Sequence, residues 1–182
     1  MSEKPNILVL LAHPRLNESQ VNKALIKQIT SLPYVVVHDL YEIYPDFYID
    51  VEKEQALLLQ ASLIIFQCPM YWYSSPSLMK EWQDVVLERG FARGARGTAL
   101  RGKDFRMVIT TGGPEEAFQR GGANNFTTEE LLRPFEQMAH LCGMTYHPPF
   151  VVHGAFYLQR DEIELKAEAY RHQLESYVKS HG

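Results

Sequence analysis

Residues 6–11 read Asn-Ile-Leu-Val-Leu-Leu (NILVLL). The run is short, apolar and uninterrupted by charge. Such a run marks a strand covered on both faces, because a strand with one wet face would alternate apolar and polar residues. Working outward, the same signal recurs. Tyr34–His38 (YVVVH) is β-branched and strand-like, and Leu63–Gln67 (LIIFQ) is a third run. Phe105–Thr110 predicts a fourth strand and Phe150–His153 a shorter fifth.

Helical patterns fill the gaps. Residues 19–31 place Val21, Ala24, Leu25, Gln28 and Ile29 on one side, and Glu52–Gln60 can be helical. Pro76–Arg89 places Leu78, Met79, Trp82, Val85 and Val86 on one face. Ser75 is placed to cap that helix, Pro76 suits its first turn and Gly90 its end. Thr127 and Glu130 spell a capping box, and a last helix from Asp161 repeats Ile163, Ala167, Tyr170, Leu174 and Tyr177. Strands alternating with helices predict an α/β three-layer sandwich. Its five-stranded parallel sheet has order 2-1-3-4-5, with helices on both faces, and one domain spans residues 1–182.

Composition agrees. The chain of 182 residues is 46% hydrophobic and 22% charged, as a protein with a full core is. A formal net charge of −4 argues against general nucleic-acid binding. No segment approaches the roughly 20 apolar residues that span a bilayer, and Met1–Pro5 leads into the first strand without a signal-peptide pattern. Cys68 and Cys142 form no CxxC pair and read as reduced, structural thiols of a cytoplasmic protein. The seven histidines lack metal-ligand spacing, so no metal site is expected.

In such sheets ligands sit beyond the carboxyl ends of the strands. Three loops converge there. After strand one comes AHPRLNESQVN (12–22), in which His13, Ser19 and Asn22 can add donors to a helix N-terminus that attracts an anion. Ordinary capping by Asn17 or Ser19 is the plainer account. After strand three comes CPMYWYSSPSLMKEWQD (68–84), whose consecutive aromatics suit either a core cap or a flat ligand. After strand four comes TTGGP (110–114), either a simple turn or a close-packed Gly-Gly wall. Together they fit a phosphorylated planar ring, which points to a flavin nucleotide. No GxGxxG follows any strand. GTALRGKD (97–104) fails as a phosphate loop, because Asp104 replaces the Ser/Thr and a strand follows where a helix is required.

AHPRLNESQVN, QCPMYWYSSPSLMKEWQD and ITTGG occur in the order and spacing of the flavodoxin-like NAD(P)H:quinone oxidoreductase family, which the chain resembles nearly throughout. HDLYEIYPDFYID (38–50) and LERGFARGARGTALRGK (87–103) bring it nearer the ancillary flavoproteins of bacterial glutathione-gated potassium efflux systems. The resemblance implies a flavodoxin-like homodimer with FMN, in preference to FAD, near the subunit interface. By the same resemblance His13, Ser19, Gln20, Val21 and Asn22 meet the ribityl-phosphate side, and Pro69, Met70, Tyr71 and Trp72 line the ring. Thr110, Thr111, Gly112 and Gly113 close the other side. The implied chemistry is a ping-pong transfer: NAD(P)H gives hydride to the flavin and leaves, and a quinone takes its place. One departure stands out. Many such reductases follow TTGG with a Tyr and then a His, whereas here Phe118 lies near the Tyr position and residues 114–124 contain no His. The sequence therefore nominates no catalytic residue.

Two further features have mainly structural accounts. Arg89, Arg93, Arg96, Arg101, Lys103 and Arg106 form a basic run that reads as a solvated loop, the alternative being a dock for an acidic partner or a cofactor phosphate. Tyr44-Pro45-Asp46-Phe47-Tyr48 reads as core and dimer-interface packing. Two functions are carried forward. One is a cytoplasmic FMN-dependent NAD(P)H:quinone oxidoreductase. The other is a regulatory module docking on the cytoplasmic domain of a potassium efflux transporter, and so peripheral on the cytoplasmic face of the inner membrane.

Overall fold

The computed structural model describes residues 6–181, so Met1–Pro5, where no signal-peptide pattern is read, lie outside the described residues. Five parallel strands, β1 (Ile7–Leu11), β2 (Val35–Asp39), β3 (Leu63–Pro69), β4 (Asp104–Thr110) and β5 (Thr145–Val152), lie in the order β2-β1-β3-β4-β5. This is the expected doubly wound order, with the switch point between β1 and β3.

Alternation along each strand divides the core. Ile7 and Val9 point to the face covered by α1 (Gln20–Ile29) and, at the far end of the chain, the helix Arg160–His181, where they meet Leu25, Ile29, Tyr170 and Leu174. Leu8 and Leu10 point to the other face. That face is covered by α2 (Leu40–Ile43), α3 (Val51–Gln60), α4 (Ser77–Val86), the short α5 (Thr128–Leu131) and α6 (Arg133–Leu141). The C-terminal helix is α7. Both faces being dry explains why β1 and β3 carry no polar alternation. Phe66 of β3 packs edge-on between Trp82 and Phe105, with ring centroids at 5.5 and 4.8 Å.

Three local expectations are corrected. First, β5 begins at Thr145, five residues before the predicted Phe150. Pro148 and Pro149 hid its start, and they are tolerated because β5 is an edge strand whose register shifts opposite Arg106–Val108. Second, α4 starts at Ser77 with Pro76 as its N-cap, and Ser75 makes no cap; its hydroxyl is buried without a partner. The helix ends at Val86, before Gly90, whose φ of +99° serves a following turn. Third, the basic run divides: Lys103 Nζ donates to the carbonyls of Leu59 and Ala61, and Arg106 reaches Gln173 of α7. Arg89, Arg93, Arg96 and Arg101 stay exposed. The capping box at Thr127 and Glu130 forms as read.

The segment 38–54 closes on a buried carboxylate. Glu54 of α3 is fully buried and accepts from His38 Nε2 (2.7 Å), Tyr44 Oη (2.5 Å) and Trp82 Nε1 (2.8 Å). Three donors thus join β2, the α2–α3 loop, α3 and α4. Tyr44 is buried, whereas Phe47 and Tyr48 of the same loop are exposed.

Candidate functional site

The carboxyl ends of β1, β3 and β4 meet through their backbones. Ala12 N–H donates to the Gln67 carbonyl at 2.9 Å, Met70 N–H to the Thr110 carbonyl at 2.8 Å, and Thr111 N–H to the Val152 carbonyl at 3.0 Å. The three loops singled out in the sequence therefore form one rim, and the end of β5 adds a fourth.

On the β1 side, His13 Nδ1 accepts from the Arg15 N–H at 3.1 Å, which puts the proton of the neutral ring on Nε2. Burial lowers the His13 pKa, against its own backbone bond and the charge of Glu18. Ser19 caps α1, its Oγ accepting from the Asn22 N–H at 3.1 Å. Gln20 is exposed at the first helical position and Val21 is buried behind it. Asn22 differs from the expected outward donor. It is 1% exposed, and its amide donates to Thr110 Oγ1 at 3.0 Å and to Ser19 Oγ at 3.3 Å. Gln67 Nε2 donates back to Asn22 Oδ1 at 3.3 Å, while Gln67 Oε1 is buried without a partner. Asn22 is thus the pin that holds the helix start against the strand ends.

On the β3 side, Pro69 ends the strand and Met70 is half-buried. Tyr71 and Ser74 exchange two backbone bonds of 3.0 Å, closing a two-residue hairpin with Trp72 and Tyr73 at its tip. Both tip residues have positive φ, 49° and 64°. This is the geometry of a type I′ turn, which favours Asn-Gly, and a bulky side chain in that region costs roughly 1–2 kcal/mol. Trp72 is 93% exposed. A strained turn that presents a bare indole fits a ligand or partner surface better than a core cap. Replacing Trp72-Tyr73 by Asn-Gly is expected to raise stability by about 1–2 kcal/mol, read as a higher urea midpoint. One residue before Pro69, Cys68 is fully buried, and burial pushes its thiol up to about 12.

On the β4 side, Thr110 and Thr111 are buried, and Gly112 and Gly113 are half-buried. A Cβ on Gly112 would stand 2.6 Å from Phe156 Cε2, and one on Gly113 would stand 3.3 Å from Phe118 Cε2. The absence of side chains there is a matter of space. Among the described residues, neither the Gly112 nor the Gly113 N–H donates to a backbone acceptor. Phe118 is 9% exposed and packs inward, its ring 5.2 Å from that of His153.

His153, expected as the last residue of the fifth strand, lies beyond β5, which ends at Val152, and with Phe156 it belongs to the β5–α7 loop, which is not one of the three loops singled out in the sequence. Gly154 N–H donates to the Gly113 carbonyl at 2.8 Å and Ala155 N–H to the Thr111 carbonyl at 2.9 Å, so this loop extends the β4–β5 pairing past the strand ends. A histidine therefore stands beside TTGG although none lies in residues 114–124. Exposed rings of Tyr71, Trp72, Tyr73, Phe126, Phe156 and Tyr157 lie on the loops of this end of the sheet.

The ancillary protein KefG of the glutathione-regulated potassium-efflux system from Pectobacterium carotovorum is 49% identical over 97% of this chain and 96% of its own. The crystal structure of general stress protein 14 from Treponema denticola, in complex with FMN, is 36% identical, with a TM-score of 0.89 over 94% of this chain and 99% of that one. An NADPH-quinone reductase from P. pentosaceus is 39% identical, with a TM-score of 0.84 over 91% and 95% of the two chains. A profile described as the flavodoxin-like fold matches residues 5–178, and the chain, with the strand order that fold requires, belongs to that family.

Proposed function

We propose that the protein is an FMN-dependent NAD(P)H:quinone oxidoreductase that works as a homodimer of one flavodoxin-like domain. It also serves as an ancillary subunit of a glutathione-gated potassium efflux transporter. The observation that carries the reading is the convergence of three loops at the carboxyl ends of β1, β3 and β4: a capped helix start, an aromatic hairpin and a bare Gly-Gly turn. The residues fit FMN. The first turn of α1 offers N–H groups to a phosphate. Gly112 lets an aromatic ring lie against bare backbone; in this structure that ring is Phe156, which is 85% exposed and so can yield the place to a bound flat ring. Gln67 Oε1, buried without a partner, wants a donor of the kind a ribityl chain carries.

In this reading His13, Ser19, Gln20 and Val21 face the phosphate and ribityl chain, with Asn22 holding them in place. Pro69, Met70, Tyr71 and Trp72 lie along the ring, and Thr110, Thr111, Gly112 and Gly113 form its other wall. Bound FMN supplies the two-electron centre that takes hydride from NAD(P)H and passes it to a quinone; the protein binds, orients and excludes water. The exposed aromatics around the rim are the surface a second copy would cover. Among the described residues no helix is long and apolar enough to cross a membrane, so attachment to the inner membrane would run through the transporter. The relatives named as efflux ancillary proteins support that role.

Purified protein is expected to be yellow, to release FMN on heating, and to oxidise NAD(P)H only when a simple quinone is added. A colourless protein that takes up neither FMN nor FAD overturns the enzyme reading. Light scattering in solution tests the dimer.

A further inference from the structure

Thr111 has one hydroxyl proton, and it goes to the Gly113 carbonyl at 2.8 Å. His153 Nδ1 lies 3.0 Å from the same Thr111 oxygen. With the hydroxyl proton committed, Nδ1 has to be the donor, so the ring is held as its Nδ1–H form. Nε2 is then the acceptor, and the hydroxyl facing it is that of Thr128, at 3.5 Å. The bonds run in one direction, from Thr128 to His153, from His153 to Thr111, and from Thr111 to the Gly113 carbonyl.

The surroundings keep this arrangement in place. Thr111 and Thr128 are 2% and 3% exposed, and the Phe118 ring covers the imidazole at 5.2 Å. Burial lowers the His153 pKa; Glu115, Glu129 and Glu116 oppose that and Lys166 assists it, and the net direction leaves the ring neutral at pH 7. The Gly113 carbonyl is held twice, by Thr111 Oγ1 and by the Gly154 N–H at 2.8 Å. Thr111 is anchored through its own N–H and carbonyl to Val152 and Ala155. Both ends of the turn are therefore fixed, while the N–H groups of Gly112 and Gly113 between them meet no backbone acceptor among the described residues.

We propose that His153 is a positioning residue for the flavin-facing wall: through Thr111 it fixes the Gly112–Gly113 turn so that its free amides are pre-aimed at the bound ring. The proposal rests on the FMN reading above and adds to it a residue from the β5–α7 loop and a defined imidazole tautomer. Pre-organisation of this kind contributes affinity by removing the cost of ordering the turn on binding.

The test uses full-length wild type, His153→Phe and His153→Asn. Phe keeps a ring and loses both nitrogens. Asn keeps an amide N–H able to replace Nδ1–H toward Thr111. FMN affinity, from quenching of flavin fluorescence, is expected to fall about ten-fold in His153→Phe, the worth of one hydrogen bond, and to recover to within about two-fold of wild type in His153→Asn. In the flavin-free wild type, nitrogen-15 NMR of the ring at pH 7 is expected to show the Nδ1–H form. A ring protonated on Nε2 alone, or a His153→Phe protein that binds FMN as tightly as wild type, overturns the proposal. A wild type that binds no FMN overturns the functional reading itself, a separate outcome from a wild type that binds and a variant that binds equally.

Discussion

A Gly112→Trp protein is expected to purify colourless while melting within a few degrees of wild type. Gly112 needs no unusual φ, so the constraint there is space alone. The first atom a new side chain meets is Phe156 Cε2, and Phe156 is 85% exposed. That ring can swing into solvent at little cost, so the fold tolerates the change. The indole then fills the volume over the Thr110–Gly113 wall. FMN affinity is expected to fall at least ~100-fold, equivalent to about 2.7 kcal/mol, and quinone reduction with it. Fluorescence titration measures the first and NADPH oxidation the second. Retained yellow colour would show that the flavin lies elsewhere. The same variant separates the two functional roles. If it still activates potassium efflux, the redox chemistry is dispensable for regulation.

Glu54→Ala is expected to be the most destabilising single change outside the site. Removing the carboxylate leaves His38 Nε2, Tyr44 Oη and Trp82 Nε1 buried without an acceptor. Breaking a buried charged network on one side costs about 3–5 kcal/mol, a large share of the roughly 5–15 kcal/mol that holds a domain together. Glu54→Gln is expected to lose clearly less, because its amide oxygen can accept from Trp82 Nε1 while its NH2 group donates to Tyr44 Oη and to a His38 ring protonated on Nδ1. Urea unfolding of the three proteins measures both effects. The pH dependence follows from the same bonds. Burial pushes the Glu54 pKa up, but donation from His38, Tyr44 and Trp82 outweighs it and the net shift is downward from 4.5. A lowered carboxylate contributes stability above its unfolded pKa and loses it as pH falls through the folded value. Part of the acid sensitivity of wild type should therefore vanish in Glu54→Gln.

The strands were legible because this sheet is dry on both faces: a run such as NILVLL has few other places to go. The Thr127 capping box was legible because its two bonds are local. β5 was half-hidden, since Pro148 and Pro149 read as loop until the edge position is known. In the site, the three loops could be named from their place after apolar runs. Asn22 could not be assigned, because whether an amide at the third position of a helix faces a ligand or Thr110 depends on how the helix is rotated against β4. The left-handed Trp72-Tyr73 turn breaks the rule that such turns use Asn or Gly, so no local signal announces it. His153 reaches Thr111 from 42 positions away, and only the pairing of β4 with β5 brings the two together.

The two cysteines have a practical consequence. Both are buried, and burial raises both pKa values, Cys68 to about 12. At neutral pH burial keeps both cysteines as thiols and not as thiolates, the form that attacks electrophiles. Neither thiol is therefore a ready nucleophile in the folded state. Alkylation by iodoacetamide should proceed only as fast as the molecule opens, which makes thiol labelling a clock for unfolding that needs no optical probe.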